Sequence, residues 1–300
     1  MQETRVSRQP LQREGLVGTL FCPSTPSGPR PAVIVLGGLD GGLQEGSAAA
    51  LASEGFVALA LGYFGPQPLF SEPIEIPLEY FAEALDWLKN QPFVTPNLVA
   101  VIGVSKGGEL ALLLGSTYPG DIKVVVGFAP SAVTWRGVSY NLRSFFGSPR
   151  SSWTLGGEPV PFVSISLRFS EVAGYAVGRM PSLRGIFERS LEDEAAVAIG
   201  SIAVEKIAGP VLLVSGTDDQ VWPSTCLSEM AIERLKAHEH PFPYEHLRYE
   251  GAGHPTGLPY SGPVNTRAGF MPLGGNLERN GFLHADSWPR VLGFLKKHLR

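Results

Sequence analysis

Ser105, His254 and the neighbouring pair Asp218 and Asp219 are the residues whose types and surroundings could support nucleophilic catalysis. A serine alkoxide is inaccessible near neutral pH. The hydroxyl therefore needs a base within hydrogen-bond reach and a carboxylate to orient that base. Ser105 stands in Gly103-Val104-Ser105-Lys106-Gly107, but a chain with 36 glycines meets a Gly-x-Ser-x-Gly pattern cheaply, so its position must decide. The apolar run LVAVIGV (98–104) reads as a strand ending at the serine, and ELALLLGSTYP (109–119) reads as a buried helix beginning just after it. A serine on a strained turn between strand and helix is exposed to substrate, and side chains at 103 and 107 would collide there. The helix N-terminus would face a developing oxyanion, with the backbone N–H of Lys106 as one donor. A plain strand-to-helix turn rich in small residues would carry the same letters.

In such an arrangement the carboxylate and then the histidine follow the serine along the chain. His254 fits this order: it lies in YEGAGHP, after the strand-like YEHLRYE, behind Gly251 and Gly253, which let the loop reach over the serine. His246 reads as a surface position in that strand, and His238 and His240 as the solvated end of the helix AIERLKAHEH. His284, ahead of the C-terminal helix, could pack near the site but reads as a structural histidine. The acid comes from SGTDDQVWP (215–223), where Gly216 and Pro223 frame Asp219, and Asp218 is the alternative. A second oxyanion donor is expected from the glycine loop LGGLDGGLQEG, at Leu39 or Gly38. The side chains of Lys106 and Glu109 read as a surface contact near the helix start.

Placing these residues requires a scaffold. PAVIVLGG (31–38), FVALAL (56–61), LVAVIGV (98–104), KVVVGF (123–128) and PVLLVSG (210–216) are short, continuously apolar and rich in β-branched residues, as strands covered on both faces are. LEYFAEALDWLKNQP carries Leu78, Phe81, Leu85 and Leu88 at helical spacing between Pro77 and Pro92. DSWPRVLGFLKKHLR reads as a closing helix with Asp286 or Ser287 as N-cap. The alternation predicts an α/β fold with a mostly parallel, doubly wound sheet, and the length suits one domain over 1–300. From Trp135 to about Gly200 the alternation fails, and an unpatterned stretch of this length reads as a cap-like insertion. Between 136 and 184 it holds Arg136, Arg143, Arg150, Arg168, Arg179 and Arg184 against Glu158 and Glu171. Those arginines suit phosphates and the interspersed aromatics an acyl chain, or the segment is simply a solvated lid.

Other classes are disfavoured. A net charge of −4 with scattered Lys and Arg gives no nucleic-acid footprint. No apolar run approaches the length of a membrane span, and the polar start has no signal-peptide core, which points to the cytoplasm. Cys22 and Cys226 suggest neither a disulfide framework nor a zinc site, and the histidines have no metal-ligand spacing. No Gly-x-Gly-x-x-Gly or Gly-Lys-Ser/Thr motif marks a nucleotide, so no cofactor is implied.

GVSKGGEL around Ser105, GGLDGGLQE followed by LASEGFVALALGYFG, IEIPLEYFAEALDWL, GTDDQVW, GAGHP followed by LPY, and the closing GGNLERNGFLHADSWPRVLGFLKKHL together resemble one family. It is the catalytic domain shared by acyl-CoA thioesterases and bile acid-CoA:amino acid N-acyltransferases. The resemblance runs from about residue 15 onward and is weakest over 135–200. It implies an α/β-hydrolase fold, an acyl thioester substrate such as acyl-CoA, and Ser105, Asp219 and His254 at the triad positions. Mammalian members carry an additional N-terminal β-sandwich domain, for which the roughly thirty residues ahead of the first core strand leave no room. The amino-acid transferase branch uses cysteine as nucleophile, so a serine here resembles the hydrolytic branch. A carboxylic ester or lactone hydrolase of the dienelactone hydrolase kind, and a non-catalytic binding relative, are the alternatives.

Overall fold

The computed structural model describes residues 6–11, 13–24, 28–65, 67–139, 147–168, 171, 182–255 and 264–300. Its frame is an eight-stranded sheet built from β1 (Val6–Pro10), β2 (Val17–Pro23), β3 (Arg30–Leu36), β4 (Val57–Gly62), β6 (Val94–Val104), β7 (Val124–Phe128), β10 (Val211–Gly216) and β11 (Tyr244–Tyr249). The spatial order is β1-β2-β4-β3-β6-β7-β10-β11. The six strands from β4 to β11 are parallel, whereas β1 and β2 run antiparallel at one edge. The five apolar runs read from the sequence are β3, β4, β6, β7 and β10. The edge hairpin β1–β2 was not anticipated: β1 (VSRQP) is polar and lies largely exposed at the edge, and in β2 (VGTLFCP) Gly18 and Thr19 break the apolar run although Thr19, Leu20 and Phe21 are all buried.

Alternate side chains of each central strand feed two separate cores. Ile34, Leu36, Leu59, Leu61, Val99, Val101 and Val125 point to one face, where helices α2 (Glu79–Lys89) and α3 (Lys106–Thr117) lie. Val33, Val35, Ala58, Ala60, Ala100, Ile102 and Val126 point to the other, beneath α1 (Glu45–Ser53) and the C-terminal helix. Each such fully buried Val, Leu or Ile contributes about 1.5–3 kcal/mol relative to exposure. This is the doubly wound arrangement expected. In α2 the predicted stripe is buried at Phe81, Leu85 and Leu88, and Leu78 is the residue just before it.

The interval 135–200 contains the short strands β8 (Trp153–Leu155) and β9 (Glu158–Pro159) and the helices α4 (Arg184–Ser190) and α5 (Glu194–Gly200). β8 and β9 join β5 (Ile76–Pro77) in a small second sheet. After β10 come α6 (Ser224–Ala237), then β11, a hairpin of β12 (Arg267–Ala268) and β13 (Met271–Pro272), and α7 (Leu277–His298). The closing helix is longer than expected. It begins at Leu277 because Asn276 Oδ1 accepts the Arg279 N–H at 2.8 Å. Asp286 and Ser287 therefore lie inside α7 rather than capping it, and Pro289 sits within the helix at the cost of one backbone bond. No helix among the described residues is long and apolar enough to cross a membrane.

Candidate active site

The chain runs from β3 outward to β4 and then returns past β3 to β6, so the strand order reverses between β3 and β6. At such a reversal the loops at the carboxyl ends of the two strands diverge and leave a crevice. Ser105 sits there, between the end of β6 and the start of α3, with φ 56° and ψ −120°. That left-handed backbone is strained for a residue with a side chain and is held from both sides. A Cβ on Gly103 would fall 1.8 Å from the Gly107 oxygen, and one on Gly107 would fall 2.3 Å from the Gly37 oxygen. The two glycines of the motif are thus required by close backbone approach.

The Lys106 and Gly107 N–H groups belong to the first turn of α3, where the helix itself supplies no acceptors. Across the crevice, a Cβ on Gly38 would lie 3.3 Å from Ser105 Cβ, so the loop after β3, which continues to Leu39, borders the serine.

Asp219 follows β10 and is fully buried. Its Oδ1 accepts the backbone N–H groups of Val221 at 2.9 Å and Trp222 at 3.2 Å. Its Oδ2 accepts from His254 Nδ1 at 2.7 Å. That bond directs Nε2 away from the acid. Asp218 is engaged elsewhere, accepting from Gln220 Nε2 at 2.6 Å and from the Gly275 N–H at 2.7 Å. The structure therefore brings together Asp219 and His254, and not Asp218.

His254 is 6% exposed, and its ring meets Trp222 edge-on at 6.0 Å. Residues that sequence reasoning missed hold its loop. Leu273 O accepts the N–H groups of His254 at 2.8 Å and Gln220 at 3.1 Å, tying the base loop to the acid loop through one carbonyl. Asn280 of α7, also buried, accepts the Gly253 N–H at 2.8 Å. Its Nδ2 donates to the carbonyls of Asn265 at 2.9 Å and Gly274 at 3.2 Å. Nothing local in the sequence marks Asn280, because its partners lie in other loops.

His238 is exposed at the end of α6, as expected, but His240, His246 and His284 are placed otherwise. His240, in the connection from α6 to β11, is buried, with Nε2 3.2 Å from the Gly209 carbonyl. His246 is partly buried rather than a surface position: its Nε2 lies 2.8 Å from the hydroxyl of the fully buried Ser215. Desolvation, helped by the Arg248 charge, pushes its pKa down to about 4. His284 lies within α7, beside the crevice formed by Gly253, His254 and Asn280.

Lys106 and Glu109 are not a surface contact. Both side chains are buried, at 2% and 0% exposure, and Lys106 Nζ donates to the two Glu109 oxygens at 2.7 and 2.9 Å. Burial pushes the Glu109 carboxyl up and the Lys106 ammonium down, and their mutual attraction opposes both shifts. The Lys-x-x-Glu spacing on one helix face was the available signal. Of the insertion's arginines, Arg150 pairs with Glu75, and Arg184 pairs with Glu188 while donating to the Thr217 carbonyl at 2.9 Å. Arg136 is buried, Arg168 is exposed, and Arg143 and Arg179 lie outside the described residues. No group of three or more His, Cys, Asp and Glu among the described residues could hold a metal ion.

Comparison with solved structures gives the class. A dienelactone hydrolase-like promiscuous phosphotriesterase from metagenomic libraries superposes with a TM-score of 0.55 at 18% identity, covering 98% of each chain. An α/β-hydrolase enzyme from a Medee basin deep-sea metagenome library gives 0.57 at 15% identity, over 100% of this chain and 99% of that one. The fold is that of an α/β-hydrolase. Residues 76–300 match the sequence model of the family described as BAAT / Acyl-CoA thioester hydrolase C terminal, and the chain belongs to that family. Among curated relatives, human acyl-coenzyme A thioesterase 1 and mouse acyl-coenzyme A amino acid N-acyltransferase 2 are each 30% identical over 98% of this chain. The chain spans 66% of the length of either.

Proposed function

We propose that this protein is a serine hydrolase that cleaves an acyl thioester, an acyl-CoA, to the free acid and the thiol. The observation that carries the reading is the 2.7 Å bond from His254 Nδ1 to the buried Asp219, in a fold whose nucleophile turn holds Ser105 at positive φ. In this reading His254 Nε2 takes the proton from Ser105 Oγ as the oxygen attacks the thioester carbonyl. Asp219 holds the imidazole and balances its charge. The oxyanion is received by the N–H groups of Lys106 and Leu39. The C–S bond breaks, the departing thiolate takes the proton from His254, and water activated by the same imidazole releases the acid from the acyl-serine.

Family membership and the names of the curated relatives support the thioester as substrate. The serine supports hydrolysis, because an acyl-serine oxygen ester is far less prone to attack by an amine than the thioester a cysteine nucleophile would form. We further infer that 1–300 is one catalytic domain with 135–200 as its cap. The test is free-thiol release from acyl-CoAs of short, medium and long chain. Release is expected from the unaltered protein and should fall by about a thousandfold or more in Ser105→Ala. A folded protein that releases thiol from none of them overturns the acyl-CoA reading and transfers the question to small carboxylic esters and lactones.

A further inference from the structure

The Lys106–Glu109 pair binds more than itself. Lys106 Nζ also donates to the Trp135 carbonyl at 3.3 Å, and Glu109 Oε1 accepts the Trp135 N–H at 3.4 Å and Trp153 Nε1 at 2.9 Å. The ammonium also lies 5.4 Å from the centre of the Trp153 ring. Both polar groups of one backbone residue, Trp135, are thus held by two buried charges on the first turn of the nucleophile helix. Replacing a buried ion pair by apolar side chains of similar volume is often neutral for stability, so stability alone does not account for this one.

From Trp135 a series of ring contacts crosses to the base. The Trp135 indole meets Phe187 of α4 edge-on at 4.7 Å, Phe187 meets Trp222 at 5.8 Å, and Trp222 meets His254 at 6.0 Å. Trp135 is 2% exposed and Trp222 also 2%, so these rings are packed in place. Trp135 Nε1 donates to Ser131 Oγ at 2.9 Å, and Trp222 Nε1 to the Ala129 carbonyl at 3.1 Å, which sets the plane of each ring. One end of the series abuts the residue after Ser105 and the other abuts His254. We propose that Lys106 and Glu109 are positioning residues: by fixing Trp135 they set, through Phe187 and Trp222, the place of the His254 imidazole relative to Ser105. This rests on the assignment of Ser105 and His254 under Proposed function.

The test uses the full chain and a fluorophosphonate, whose rate of covalent labelling reports activation of the serine independently of acyl-group binding. Two variants enter from opposite ends: Lys106→Met combined with Glu109→Leu removes the polar anchor, and Phe187→Leu breaks the ring series without disturbing a buried charge. The double variant should melt within about 4 °C of the unaltered protein. It should nevertheless label about tenfold or more slowly, with the pH midpoint of labelling displaced by more than about half a unit. Phe187→Leu should reproduce the slowing, and adding it to the double variant should cost little more, as expected of groups acting in one series. Labelling of Phe187→Leu at the unaltered rate and pH midpoint overturns the proposal, whether or not the double variant folds. If the unaltered protein labels no faster than Ser105→Ala, the functional reading falls as well. Fast labelling lost only in Ser105→Ala, with both other variants unaffected, removes the positioning role alone.

Discussion

Asp219 divides its two oxygens between its own loop and His254: Oδ1 takes the N–H groups of Val221 and Trp222, and Oδ2 takes His254 Nδ1 at 2.7 Å. The carboxylate is therefore oriented before it orients anything. Asp219→Asn should keep the loop bonds and the fold while presenting an amide to the imidazole. We expect turnover to fall by about 10⁴-fold. Asp218→Asn leaves that bond untouched and should change turnover by less than about tenfold. Steady-state rates of the two variants measured side by side separate them, and equal losses would reject the assignment of the acid.

Gly103→Ala would place a methyl group 1.8 Å from the Gly107 oxygen, backbone against backbone, with no flexible side chain to yield. A loss of more than about 3 kcal/mol, or failure to fold, is expected. Urea unfolding or the yield of soluble protein reads it. A stable Gly103→Ala protein would mean that the turn around Ser105 is looser than its backbone contacts indicate.

Asn280→Leu removes the acceptor for Gly253 N–H and the donor for two carbonyls. Leaving such buried groups unpaired costs about 1–3 kcal/mol each. The expected outcome is a lower denaturation midpoint together with slower turnover, since the released loop carries His254. Unchanged turnover in the folded variant would show that Leu273 alone suffices to hold the histidine.

His246 has a definite sign of pH dependence. Its folded pKa, about 4, lies below the ordinary value of 6.5, so the folded form keeps the ring neutral while the unfolded chain protonates it first. The stabilisation is complete above about pH 6.5 and is lost as pH falls toward 4. Because the ring is partly exposed, we discount it to about 1–2 kcal/mol. Denaturation of His246→Asn against the unaltered protein at pH 7.5 and 4.5 should show a smaller loss in the variant. An equal loss in both would remove His246 as a contributor to acid sensitivity.

Legibility from sequence followed the range of the interactions. The five central strands were readable because two-sided burial writes itself as an unbroken apolar run, and the turn around Ser105 because glycine is enforced within four residues. The hairpin β1–β2 was invisible, since β1 is a polar edge strand and the run of β2 is interrupted by Gly18 and Thr19. The true start of α7 was missed because Asp286 and Ser287 are good N-cap residues by type, whereas the observed cap is Asn276, ten residues earlier than Asp286. His240, His246 and the Lys106–Glu109 pair read as exposed because polar letters normally are. Their burial is decided by partners from distant elements: Gly209, Ser215, Trp135 and Trp153. Framing by Gly216 and Pro223 favoured Asp219 but left Asp218 open, because the direction of each side chain, which distinguishes them in the structure, is not written in the sequence.

Leu273 and Asn280 lie downstream of Ser105, Asp219 and His254 in the chain, yet they grip the loops that carry the last two. Possession of the three side chains is therefore not possession of the geometry. The loop that carries His254 is tied down by Leu273 and by Asn280 of α7, so its place is set only where the end of the chain packs against it.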